Sequence, residues 1–127
     1  MRKGWVVSIL LAAACGGGTS YGGGGGGGGG GGTTTCTAAN ATATTTVSMA
    51  NTAYAPGCMK VAVGTTVTFS NDDVMAHTVT TDAGQAESFD SGAINPNATY
   101  SHTFATAGTI KIHCNFHSTM HLTVIVQ

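Results

Sequence analysis

The stretch "HCNFHSTMH", residues 113–121, puts three histidines, one cysteine and one methionine into nine positions. Cys114, His117 and Met120 recur at every third residue, and a short hairpin loop folds such near neighbours toward one point at little closure entropy. Thiolate, imidazole and thioether form a soft donor set. It excludes Ca²⁺ and Mg²⁺, which take oxygen, and methionine is rarely recruited for zinc. One more donor completes a set of four. His77, in "NDDVMAHTVTT", stands at a loop-to-strand junction and is the natural candidate. Two imidazoles, a thiolate and a weak thioether suit copper in both oxidation states. Cu(I) accepts soft, low-coordinate surroundings, Cu(II) favours nitrogen, and a trigonal site with a distant fourth ligand is tolerable to each. The chemistry indicated is one-electron transfer. His121 is the rival to Met120 for the fourth position.

The elements that must position these side chains read as short strands. "VAVGTTVTFSN" alternates Val61 and Val63, then Val67 and Phe69, around Gly64, which is the pattern of half-buried strands broken by a turn. "HTVTT" is β-branched, "LTVIVQ" reads as a buried strand, and turn signals stand at Ser91-Gly92, Asn95-Pro96-Asn97 and Ala107-Gly108. No stretch has a helical period. The expected class is all-β, an antiparallel sandwich or barrel.

The N-terminal part has a different composition. Arg2 and Lys3, the apolar "WVVSILLAAA" and then Cys15 read as a secretory signal over residues 1–14, since an apolar run of about 10 residues is too short to span a bilayer. "LAAAC" resembles the bacterial lipobox, with Cys15 at the position that carries lipid, which implies anchoring to a membrane rather than spanning it. Residues 15–44, with glycine at every position from Gly16 to Gly32 except Thr19, Ser20 and Tyr21, read as a flexible tether, because glycine buries nothing and loses most backbone entropy when fixed. The folded domain is expected over residues 45–127. Without Arg2 and Lys3, two lysines face five carboxylates, a net charge of −3 with neutral histidines. No basic stripe exists to neutralise phosphates, which argues against nucleic acid as a partner.

Export places the cysteines in an oxidising compartment. A Cys36–Cys58 disulfide would pin the end of the tether to the first strands and contribute roughly 3 kcal/mol through loop closure. It would also leave the Cys114 thiolate to the metal. Cys58–Cys114 is the competing pair, and spacing does not decide between them.

Three stretches carry a family resemblance: "VAVGTTVTFSNDDVMAHTVTT", "FDSGAINPNATYSHTFATAGTI" and "IHCNFHSTMHLTVIV". Over residues 47–127 the chain resembles the cupredoxins of the plastocyanin and azurin superfamily, and its short Cys-to-Met loop is similar to that of amicyanin. The resemblance implies a Greek-key β-sandwich of about eight strands. It implies one type 1 copper ion, with His77, Cys114, His117 and Met120 at the ligand positions. Around them it suggests Thr78 bonding to the cysteine loop, the Ala76 carbonyl near the metal, and Asn115 and Phe116 between the ligands, with Phe116 shielding copper from water. Thr78 replaces the family's usual asparagine, and Ser118 and Leu122 replace its proline and glycine.

The implied function is a monomeric, lipid-tethered electron carrier of the cell envelope that serves redox-protein partners. A copper-delivery protein is the competing reading. An enzyme needs a second copper centre, for which the chain is too short and too poor in histidine pairs. The remaining histidines read as bland. His102 alternates with Tyr100 and Phe104 on a sheet face, and His113 points away from Cys114. The carboxylates between Asp72 and Asp90 read as a solvated face, with a docking patch for a cationic partner as the alternative.

Overall fold

The computed structural model describes residues 34–127. The expected signal, the lipidated Cys15 and the glycine tether up to Thr33 lie outside the described residues. Nine strands follow in order: β1 Thr42–Ala43, β2 Thr46–Ala50, β3 Ala53–Ala55, β4 Cys58–Val61, β5 Thr65–Asn71, β6 Thr80–Thr81, β7 Thr99–Phe104, β8 Gly108–Cys114 and β9 His117–Val126. They form two sheets, one ordered β1-β4-β9-β8-β6 and the other β3-β2-β5-β7. The fold is an all-β sandwich.

The period-two pattern produces this directly. Val47 and Met49 of β2, Val67 and Phe69 of β5, Ile110 and Ile112 of β8, and Leu122, Val124 and Val126 of β9 alternate with exposed or half-buried neighbours and share one core. Each such side chain contributes about 1.5–3 kcal/mol by leaving water. The turns fall where the turn residues stand. Gly64 between β4 and β5 has φ +86°, Gly92 +66° and Asn97 +65°, left-handed values that Gly and Asn adopt at low cost.

Two expectations need correction. The sheets are mixed rather than antiparallel, because β1–β4, β4–β9 and β2–β5 pair in parallel. β2 and β3 form an antiparallel hairpin, the chain then passes through β4 in the other sheet, and it returns as β5 on the far side of β2 and parallel to it. The folded unit also begins before Thr45. Cys36 is disulfide-bonded to Cys58 with Cα atoms 5.5 Å apart. Lys60 Nζ donates to the Ala38 carbonyl at 2.7 Å, Ala41 is buried, and Thr42–Ala43 extends the sheet beside β4. Short polar residues in "TTTCTAANATATTT" look like linker, yet the disulfide fixes the segment against β4, where its backbone finds strand partners.

Candidate metal centre

The first arm of the site is the loop between β5 and β6. Asn71, buried at the end of β5, shapes it. Its Nδ2 donates to the carbonyls of Met75 (2.8 Å) and Ile94 (2.7 Å), and its Oδ1 accepts from the Asp73 N–H at 3.0 Å. One side chain thus satisfies the Met75 carbonyl and the Asp73 N–H, and adds a second donor to the Ile94 carbonyl. The loop emerges at His77, whose backbone exchanges two hydrogen bonds with Ile94. The His77 side chain is 0 % exposed. Its Nε2 lies 3.0 Å from Asp73 Oδ2. An ionised carboxylate only accepts, so Nε2 carries the proton and Nδ1 presents a lone pair inward.

The second arm is the turn from β8 into β9. Cys114 and His117 are cross-strand partners joined through Asn115 and Phe116, with a register irregularity between His113 and Cys114. Alternation sends Cys114 and Met120 into the core, where both are buried, and leaves His117 half-buried at the rim.

The two arms bring three donor atoms together. His77 Nδ1 and His117 Nδ1 are 3.2 Å apart, and Cys114 Sγ lies 3.9 Å from the first and 3.6 Å from the second. A point equidistant from the corners of this triangle is about 2 Å from each, the length of a metal–imidazole bond and slightly short of a metal–thiolate bond. Among the described residues this is the one cluster of three or more His, Cys, Asp or Glu side chains able to hold an ion. Two imidazoles and a thiolate in a near-equilateral plane, with a buried methionine close in sequence, fit copper and exclude the oxygen-seeking cations.

The surroundings hold this geometry. The Thr78 N–H donates to Cys114 Sγ at 3.3 Å, and the Thr78 hydroxyl accepts from the Asn115 N–H at 2.8 Å, so one residue of the first arm grips the second twice. Asn115 is further tied to Thr80 Oγ1 (3.1 Å) and Asp90 Oδ2 (3.0 Å). Tyr54, buried on β3, donates its hydroxyl to the Thr78 carbonyl. Burial, and then the neighbouring Cys114, push its phenol well above the usual range. Asp73 is held down at about 2 by the Thr52 N–H first, then by His77 and its own neighbour's Val74 N–H.

The other expected residues are placed as follows. Ala76 is half-buried beside His77. Phe116 is 55 % exposed, so it stands on the surface and does not close over the donors as expected. His121 points outward with Nε2 on the Ser118 carbonyl at 2.9 Å. His113 bonds Asp82 and Asn115 on the outer sheet face. His102 stacks on Phe89 with ring centroids 3.7 Å apart and bonds Glu87. Sequence reasoning missed Asn71, Tyr54 and the specific role of Asp73. An aspartate four residues before a histidine means nothing outside a helix, and only the loop's path makes them neighbours.

A two-sheet sandwich that gathers these donors at one end defines a small copper domain. Residues 32–126 match the family of the Cupredoxin-like domain, and the chain belongs to it. Solved structures agree. A purple cupredoxin from Nitrosopumilus maritimus superposes with a TM-score of 0.60 at 26 % identity, over 66 % of this chain and 100 % of that one. A reduced amicyanin variant gives 0.60 at 33 % identity, over 65 % and 80 %. A copper-containing nitrite reductase from Thermus scotoductus gives 0.61 at 27 % identity, over 65 % of this chain and 22 % of that one. Among curated proteins nothing matches.

Proposed function

We propose that this protein is a type 1 copper protein that carries single electrons in the cell envelope, held to a membrane by lipid on Cys15. The observation that carries the reading is the donor triangle, whose edges of 3.2, 3.6 and 3.9 Å put its centre about 2 Å from each donor. Copper, when bound, supplies the one-electron couple. His77, Cys114 and His117 would hold it, with the buried Met120 as the fourth donor. Donors fixed by Asn71, Thr78 and Asp73 have little to rearrange when charge changes, which favours rapid transfer.

His117 is the exit. It is half-buried next to the exposed Phe116, while Val74 (89 % exposed) and Met75 (43 %) stand on the loop that carries His77, and exposed apolar residues of this kind suit brief docking of a redox-protein partner. The tether over residues 15–44, of which Cys36 and Thr42–Ala43 are fixed to the domain, would let one anchored copy visit several partners at high local concentration. The matched part of the nitrite reductase is about a fifth of that chain, whereas the purple cupredoxin and amicyanin matches cover 100 % and 80 % of those chains, which supports a carrier.

The test is absorption, electron spin resonance and voltammetry of the copper-loaded chain. An intense thiolate-to-copper band with a reversible wave is expected, and Cys114→Ser abolishes the band while the far-ultraviolet circular dichroism stays unchanged. A colourless, labile complex in the unmutated protein would support copper delivery instead.

A further inference from the structure

The two imidazoles of the triangle differ in what stands behind them. His117 is half-buried, and its Nε2 has no hydrogen-bond partner among the described residues. His77 is fully buried, and its Nε2 faces the Asp73 carboxylate at 3.0 Å, with the two side chains 0 % and 10 % exposed. Asp73 is itself over-determined. Its Oδ2 also accepts the Thr52 N–H (3.1 Å) from the β2–β3 turn, its Oδ1 accepts the Val74 N–H (2.7 Å), and its own N–H is held by Asn71. Both Asn51 and Thr52 have positive φ, 52° and 56°, which aims that turn's N–H at the carboxylate.

We propose that Asp73 is a positioning residue that sets the tautomer and orientation of His77 and places a full negative charge behind one ligand of the metal. This deepens the copper reading and rests on it for the redox consequence. A buried imidazole left to itself has two tautomers of similar energy, and only the Nε2–H form offers Nδ1 to a metal. A carboxylate acceptor selects that form, makes the ring a stronger donor and stabilises the more highly charged oxidised ion. A neutral acceptor would do the first of these and much less of the other two. The hairpin turn at Asn51–Thr52, which contributes no ligand, thereby becomes part of the support of the site.

The experiment compares the full chain with Asp73→Asn and Asp73→Ala, because asparagine keeps an acceptor and a similar shape while removing the charge. Urea unfolding of the metal-free proteins establishes that each is folded. Zinc affinity, read by competition with a chelator, tests the positioning role without reference to electron transfer. Loss of about tenfold is expected for Asp73→Asn and a larger loss for Asp73→Ala. On the copper-loaded proteins, Asp73→Asn should raise the reduction potential while the thiolate band remains. Unchanged zinc affinity and unchanged potential in folded Asp73→Asn and Asp73→Ala would overturn the proposal and leave Asp73 as a brace for the β2–β3 turn. An unmutated protein with no coloured copper band would instead sink the electron-carrier reading, and the zinc affinities would still decide the role of Asp73.

Discussion

His77 and His117 offer the same atom to the same triangle, yet they are built on opposite plans. His77 comes from a loop whose backbone is fastened by a buried asparagine, an isolated bridge to Ile94 and an aspartate behind the ring. His117 comes from the end of a two-residue turn, half-buried and next to the exposed Phe116. One arm is closed to solvent and the other meets it. A carrier needs both properties, and the fold supplies them by burying one ligand under the sandwich while leaving the other on its surface.

The largest expected contrast comes from removing each ring. With His117→Gly the gap opens toward solvent, and millimolar imidazole should enter it and restore the copper band. With His77→Gly the gap is enclosed and leaves the Asp73 carboxylate without its partner, so added imidazole should restore little. Equal rescue of both, followed by absorption titration, would break the comparison.

The next contrast concerns what shapes the arms. Asn71→Ala leaves the Met75 carbonyl and the Asp73 N–H without their partner, takes one of two donors from the buried Ile94 carbonyl, and should cost about 3 kcal/mol in urea unfolding. Asn115→Ala acts on exposed bonds and should cost about 1 kcal/mol or less. Similar losses would mean that the turn is as strongly fastened as the loop.

A smaller effect follows from pH in the metal-free protein. Asp73 is held down at about 2, below its unfolded value of about 4. The stability it contributes is therefore fully present above about pH 4 and is lost as pH falls through 2. Asp73→Asn should flatten the dependence of unfolding free energy on pH across that window. An unaltered slope would show that the carboxylate gains nothing from Thr52 and His77.

Much of this was legible in the residues. Alternation in "VAVGTTVTF" and "LTVIV" marks strands because half-buried sheets demand period two, and Gly64, Gly92 and Asn97 mark turns because the backbone there turns left-handed. Cys114, His117 and Met120 stand out because a hairpin keeps close sequence neighbours close in space. Parallel pairing was not legible, since the alternation of a strand is the same whichever way its neighbour runs. Nor was the order of residues 36–43, whose small polar side chains resemble linker until the disulfide holds them against β4. Asp73, Tyr54 and Asn71 were invisible as partners for a related reason. Their roles depend on where an irregular loop travels, and no periodicity records that path.

β9 is the middle strand of its sheet, with β4 on one side and β8 on the other. It is also the last of the nine strands to leave the ribosome, so the keystone is delivered after the arch. Until Leu122, Val124 and Val126 arrive, β4 and β8 have no common neighbour, and two of the four donors are still being made or have only just emerged. A chain halted early then offers neither a closed sandwich nor a finished set of ligands.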